Sequence, residues 1–266
     1  MIMKETIVSY IPAECPWRDT LHWYSDIDST NTRAKELARQ GAPHGTVLIA
    51  GHQTGGRGRM GRTFQSPVGM GVYLSVILRP HCMPQELMHL TCAAGVAMMD
   101  AAEQVAHIRP QMKWINDLVI GSKKLGGILT EMSVEKGLVS YAIIGIGINC
   151  LQTPEDFHPE IADLATSLSQ AAGRNIAPAR LASAMVEALW KMDACLLSDK
   201  AQIMARYKAD CITLGKDIQV IRGEQILPGQ AFDLDEDGGL WVRYPDGRKE
   251  VVSSGEVSVR GMYGYV

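Results

Sequence analysis

The spacing of apolar and polar positions changes period several times along the chain, and each change marks an element. Asp28 or Ser29 caps a helix that puts Ala34, Leu37 and Ala38 on one face and stops at Gly41. That reading makes the helix N-terminus polar and exposed. Thr46–Ala50 and Gly71–Leu78 read as short buried strands, the second rich in Val, Leu and Ile and closed by Pro80. Across 84–105, Leu87, Leu90, Ala94, Ala97 and Met98 recur at helical spacing, a core stripe with no chemistry of its own. Strands follow at 112–114, 118–120, 125–132 and 138–150, with turns at Gly121-Ser122 and Lys136-Gly137, so this part is a run of sheet and not a series of βαβ units. Helices over 178–197 and 201–209 lead to Thr213-Leu214-Gly215, where the composition changes. Beyond it, short strands at 218–221, 230–234, 240–244 and 249–252 alternate with Gly and Asp-Gly turns, the pattern of a small barrel-like module. The pattern therefore predicts an α+β fold: a mixed central sheet flanked by helices over 1–212, then a small β domain over 213–266.

Composition narrows the possibilities. With 266 residues, 46% of them hydrophobic and 21% charged, the chain can build a sizeable core. Its net charge of −3 removes a general case for nucleic-acid or membrane affinity, so cationic function must be local. Cys15, Cys82, Cys92, Cys150, Cys195 and Cys211 are scattered without zinc-ligand spacing and read as free thiols. The first fifteen residues lack an apolar core of signal-peptide length, which predicts a cytoplasmic protein.

The local charge is in one loop. Gly55 to Phe64 holds four glycines and three arginines, and residues 37–85 contain five arginines and no Asp or Glu. Glycines let a backbone approach an anion closely, and arginines present planar donor forks to phosphate or carboxylate oxygens. An anionic ligand would compensate that charge; a solvated surface loop or an RNA-contacting segment would also fit. A second stretch, Lys113-Trp114-Ile115-Asn116-Asp117, sits at a strand end and is followed by Lys123-Lys124-Leu125-Gly126-Gly127. There Asp117 is suited to Mg²⁺ and Asn116 to a phosphate, although an ordinary Asn-Asp turn is the plainer alternative. No Gly-Lys-Ser/Thr loop, Gly-x-Ser-x-Gly elbow or His-Glu-x-x-His helix is present, which excludes P-loop ATPases and leaves hydrolase readings without a nucleophile.

In this order, the segments resemble the bacterial biotin protein ligases. The likeness runs from about Asp28 to Arg260 and rests on Asp28-Ser29-Thr30-Asn31, the Gly-Arg-Gly-Arg-Met-Gly-Arg loop, Lys-Trp-Ile-Asn-Asp, Lys-Lys-Leu-Gly-Gly-Ile-Leu, Gly145-Ile146-Gly147-Ile148-Asn149 and Ala165-Thr166-Ser167-Leu168. It implies a biotin/lipoate ligase-like catalytic domain with an SH3-like C-terminal barrel. The implied activity is ATP-dependent formation of biotinyl-adenylate, then transfer of biotin to a lysine of the biotin carboxyl carrier protein of acetyl-CoA carboxylase. By the same resemblance Ser29, Thr30, Asn31, Gln53, Gly56, Arg57, Arg59, Lys124 and Gly127 form the biotin site. Arg59, Arg62, Phe64, Asn116, Lys124, Asn149 and Arg260 engage ATP, and Asp117 holds Mg²⁺. Lys124, Arg59 and Arg62 are the implied catalytic cations, and a homodimer through the central sheet is allowed.

Three positions depart from the family pattern: Ile115 stands where proline is typical, Gly126 where alanine is, and Phe64 where tryptophan is frequent. Ile115 frees a backbone N–H and is expected to loosen the turn that aims Asn116 and Asp117. Only 27 residues precede Asp28, too few for the DNA-binding domain of the family's repressor members, so a ligase without repressor activity is expected. A lipoate or octanoate ligase is the enzymatic rival, lacking here its Arg-Arg-x-Ser-Gly-Gly-Gly segment. An RNA-binding module and a non-catalytic biotin sensor are the rivals from other classes.

Overall fold

A computed structural model describes residues 4–253 and 258–261. A seven-stranded mixed sheet forms the centre, in the order β1-β2-β3-β7-β6-β5-β4. Its strands are β1 (Leu21–Tyr24), β2 (Thr46–Ala50), β3 (Gly71–Leu78), β4 (Gln111–Lys113), β5 (Asp117–Ile120), β6 (Lys123–Glu135) and β7 (Leu138–Asn149). Only β1 and β2 run parallel; every other neighbouring pair is antiparallel, with hairpins joining β4 to β5, β5 to β6 and β6 to β7, and β7 pairing back onto β3.

Alternation along the strands explains the layers. Leu48, Ile77 and Ile143 face α2 (Thr30–Arg39) and bury Ala34 and Ala38 with it. Val47, Ile49, Val76, Leu78 and Ile144 face the other way, into the larger core built with α3 (Leu90–Ala106) and α5 (Pro178–Cys195). The side-chain period of two thus serves one helix on one face and several on the other. α1 (Lys4–Tyr10) packs on α5, and α6 (Lys200–Ala209) packs on α3. Short α4 (Leu168–Ala172) is capped by the Ser167 hydroxyl, which accepts the N–H of Gln170.

Three differences from the sequence reading have physical causes. Ser29, Thr30 and Asn31, the polar start of α2, are 2%, 3% and 5% exposed: the Ser29 hydroxyl caps the helix by accepting the Thr32 N–H, while Thr30 and Asn31 bond to Gln53 and Ser75. Pro84–Leu87 forms a separate 3-10 turn in which the Glu86 carboxylate accepts the Met83 N–H, and α3 begins only at Leu90. Arg79 belongs to the scaffold: its guanidinium donates to the carbonyls of Ala38 and Ala42 at the end of α2 and of Ser140 in β7, tying the helix end to the sheet. Part of the basic charge between residues 37 and 85 is therefore met by backbone oxygens.

The C-terminal strands are β8 (Asp217–Arg222), β9 (Gln225–Leu234), β10 (Leu240–Arg243), β11 (Lys249–Val252) and β12 (Ser258–Gly261). They form a five-stranded antiparallel sheet in the order β11-β10-β9-β8-β12, a small β domain. β9 begins five residues earlier than its apolar pattern suggests, at Gln225 and not at 230, and runs through Pro228, opposite Gln219. The segment after α6 is stitched to β4, where Met112 donates to Asp210 and accepts from Ile212. Among the described residues, no helix is long and apolar enough to cross a membrane.

Candidate active site

A cavity of about 580 Å³ opens at the edge where α2, the Gly-Arg loop and strands β5, β6 and β7 converge. Glycines make room for it. Gly127 on β6 pairs with Gly147 on β7, and Leu129 pairs with Gly145. Gly145 and Gly147 lie two residues apart and so face the same side. A Cβ at Gly145 would fall 1.8 Å from Asn31 Oδ1, and one at Gly147 would fall 2.5 Å from the Phe64 ring. The strand can accept those two side chains only because neither position carries its own. Gly126, the departure noted above, has the Gly147 carbonyl 2.3 Å from where its Cβ would stand.

One wall is a neutral hydrogen-bonding network. The Gln53 side-chain oxygen accepts the Thr30 N–H at 2.8 Å and the Thr30 hydroxyl at 3.0 Å, while its amide nitrogen donates to Ser66 Oγ at 3.1 Å. Ser75, fully buried, donates to Asn31 Oδ1 at 2.6 Å, and Asn31 donates in turn to Glu131 at 3.1 Å. Lys35 closes the outside of the network on Glu131. Such fixed donors and acceptors suit a neutral polar ring that needs both.

The opposite wall is cationic. Arg57, Arg59, Arg62, Lys113 and Lys124 line the cavity against a single carboxylate, Asp117, among the described residues. Arg59 donates to Asn116 Oδ1 at 3.0 Å across the cavity. Burial depresses the Arg59 pKa, the neighbouring Asp117 raises it, and Arg62 lowers it again. Lys124 Nζ reaches Asp117 Oδ1 at 2.6 Å, and the Lys124 backbone is clamped by Leu164 and Thr166, which gives the Ala165-Thr166 segment its role.

The Gly-Arg loop is tied more closely than its composition suggests. Phe64 donates to the Gly56 carbonyl, Gly58 donates to the Arg62 carbonyl, and Arg57 bridges to Thr63. Met60 takes a left-handed φ of 55° at its tip and is 70% exposed. The turn before β5 is likewise held. The Trp114–Ile115 peptide is cis; Ile115 is buried, and its carbonyl accepts the Tyr207 hydroxyl at 3.0 Å.

Ser29, Thr30, Asn31, Gln53, Arg57, Arg59, Arg62, Phe64, Asn116, Asp117, Lys124 and Gly127 all line the cavity. Gly56 lies just outside the lining, packed under the Phe64 carbonyl. Asn149 stands behind the wall, donating to the Thr166 carbonyl and accepting from Gln152. The Arg260 backbone pairs with Gln219 in β12, and its side chain lies outside what is described. Sequence reasoning assigned no role to Lys113, Trp114, Gly145, Gly147 or Leu164, which also line the cavity. The Gly-x-Gly alternation inside an otherwise apolar strand was the available signal for two of them.

One carboxylate already paired with a lysine does not make a resident metal site, and no group of three or more His, Cys, Asp or Glu side chains able to hold an ion occurs among the described residues. The residue set fits a hydrated Mg²⁺ that arrives on phosphate oxygens and takes one protein carboxylate.

Residues 23–149 match the model of the biotin/lipoate A/B protein ligase family, and residues 213–260 match the biotin protein ligase C-terminal domain. The chain is 37% identical over 235 residues to the bifunctional ligase/repressor BirA of Bacillus subtilis, covering 88% of this chain and 72% of that protein. It is 34% identical over 253 residues to the biotin--[acetyl-CoA-carboxylase] ligase of Mycobacterium tuberculosis, covering 93% of this chain and 91% of that one. The chain belongs to the biotin protein ligase family. Its fold is similar to that of the biotin protein ligase from Aquifex aeolicus solved in complex with biotin and ATP, with a TM-score of 0.76, 28% identity, and coverage of 91% and 98% of the two chains. As a biotin protein ligase, the chain lines one cavity with both the neutral polar network and the five cations.

Proposed function

We propose that the protein joins biotin to ATP as biotinyl-adenylate and then transfers biotin to a lysine of the biotin carboxyl carrier protein of acetyl-CoA carboxylase. The observation that carries this reading is the division of one cavity between a neutral donor–acceptor wall at Thr30, Asn31 and Gln53 and five cations facing one carboxylate. The ureido ring of biotin occupies the first; the triphosphate, the adenine beside Phe64 and the biotin carboxylate occupy the second.

The biotin carboxylate, with a pKa of about 4.3 by analogy with glutamate, is ionised at neutral pH and needs no general base. Repulsion between it and the triphosphate is the barrier. Lys124, Arg59 and Arg62 hold the two anions together while a carboxylate oxygen bonds to the α-phosphorus and pyrophosphate leaves. Mg²⁺, when bound with the nucleotide, would be held by Asp117 and would neutralise phosphate charge.

The adenylate is a mixed anhydride that water destroys, so the Gly-Arg loop, latched through Arg59 to Asn116, serves as a cover as well as a clamp. In the second step the acceptor amine attacks the acyl carbon and AMP leaves. Only about one in 10³ lysines is neutral at pH 7, so holding the amine against the adenylate supplies much of the rate.

The domain boundary near 213, the cytoplasmic location favoured by free cysteines, and a homodimer through the central sheet belong to the same proposal. Light scattering tests the last of these. Incubation with Mg-ATP, biotin and a carrier domain tests the function: the carrier gains the mass of a biotinyl group, biotin less one water, on one lysine, and a carrier with that lysine changed to arginine gains none.

A further inference from the structure

Both N–H groups of Trp114 are given to the C-terminal part of the chain. The backbone N–H donates to Thr213 Oγ1 at 2.9 Å, and the indole N–H donates to the Gly238 carbonyl at 2.8 Å, both in buried surroundings. The Gly238 carbonyl has little latitude. Its φ is +86°, and a Cβ there would meet Cys92 Sγ at 2.7 Å and Ile115 Cδ1 at 3.5 Å. Asp235 Oδ1 accepts the N–H groups of Asp237 and Gly239, and Lys200 of α6 pins the turn from outside by an ion pair with Asp237 at 2.6 Å.

On the other side of Trp114 the chain runs straight into the cationic wall. Asn116 is locked to β6, its carbonyl accepting from Ile128 and its amide donating to the Ile128 carbonyl, so Oδ1 is left to receive Arg59. Asp117, the next residue, receives Lys124. The neutral wall is held differently: Thr30 and Gln53 are fixed by each other, by Ser66 and by Ser75.

From this asymmetry we propose that the turn over residues 235–239 of the small β domain is a positioning element for the nucleotide half of the site. Gly238, through the Trp114 indole, sets where Asn116 and Asp117 present their side chains, and thereby where Arg59 is held. The network at Thr30, Gln53, Ser66 and Ser75 is held without it. Trp114 is in this sense a positioning residue, and the small domain contributes to ATP handling through a buried hydrogen bond. The inference rests on the adenylating function proposed above.

The test is the kinetics of biotinyl-adenylate formation by the full chain and by Trp114→Phe, which keeps the ring and loses the donor, with biotin binding measured separately by calorimetry. Leaving the buried Gly238 carbonyl without its donor is expected to raise the KM for ATP about tenfold, with biotin affinity weakened by no more than about threefold, because biotin loses only the aim of Arg59 and Lys124 and keeps the Thr30–Gln53 network. An unchanged KM for ATP, or equal weakening of ATP and biotin, would overturn the proposal, since a merely structural defect has no reason to choose between ligands. Should Trp114→Phe not fold, Lys200→Met on the outside of the turn is judged by the same split, with a rise of about two- to threefold. Absence of adenylate from the unsubstituted chain is a distinct result, which removes the functional reading and this inference with it.

Discussion

Lys124 Nζ lies 2.6 Å from Oδ1 of Asp117, so the cation proposed to bridge the two substrates is held in place by the carboxylate proposed to meet the metal. The pair ties together two segments, Lys-Trp-Ile-Asn-Asp and Lys-Lys-Leu-Gly-Gly, that β5 and β6 bring side by side. Replacing Lys124 by Met removes the cation and leaves Asp117 to repel phosphate. Adenylate formation is expected to fall by about 10²- to 10³-fold, the usual cost of losing one electrostatic partner in a transition state. Pyrophosphate release under saturating substrates measures it.

Arg59 reaches over the cavity to Asn116 at 3.0 Å. Arg59→Ala opens that latch, and the expected outcome is adenylate that escapes into solution. Rapid gel filtration after single-turnover reaction separates bound from free adenylate. Unchanged retention would contradict the covering role of the loop.

Gly145→Ala would set a methyl 1.8 Å from Asn31 Oδ1, and Asn31 is held at both ends by Ser75 and Glu131. The side chain has nowhere to retreat. Biotin affinity is expected to fall by about tenfold or more, the scale of overpacking a rigid site. Isothermal calorimetry without ATP reads it directly.

These examples show what could be read from the sequence and what could not. The strands at Thr46–Ala50 and Gly71–Leu78 were legible to the residue, because fully apolar runs bounded by turn residues leave little choice. β1 and α1 were not, since Leu21–Tyr24 and Lys4–Tyr10 are short and owe their form to packing on β2 and α5. At the site, the residues with charge or amide groups, Lys113 apart, announced themselves through their motifs. Gly145 and Gly147 did not, for their function is the absence of a side chain opposite Asn31 and Phe64, a relation between strands distant in sequence. The burial of Thr30 and Asn31 was hidden for the same reason: their partners Gln53 and Ser75 arrive from elsewhere.

Arg79 supports the scaffold and not the chemistry, with three carbonyls on one guanidinium. Arg79→Met is expected to lower unfolding stability by about 2–3 kcal/mol, from acceptors left in partly buried surroundings. Urea denaturation measures this. Activity per folded molecule should stay near the original value.

His89 is fully buried, and its Nε2 is 2.8 Å from the Leu196 carbonyl, while Nδ1 has no partner. Burial lowers its pKa; the bond to Leu196 opposes that fall only in part. Above an ordinary imidazole value of about 6.5 the ring is neutral in both folded and unfolded chains. As pH falls below that value the unfolded chain takes up a proton that the folded one refuses, so stability declines until the folded pKa is passed. His89→Gln should flatten this dependence between about pH 6.5 and 5 in denaturation midpoints.

The most direct test of the central claim is mass spectrometry of the products formed by the pure protein with Mg-ATP and, separately, biotin, lipoate or octanoate. A biotinyl-adenylate peak with biotin alone is the predicted result. An adenylate only with lipoate or octanoate, or none with any of the three acids, would contradict it.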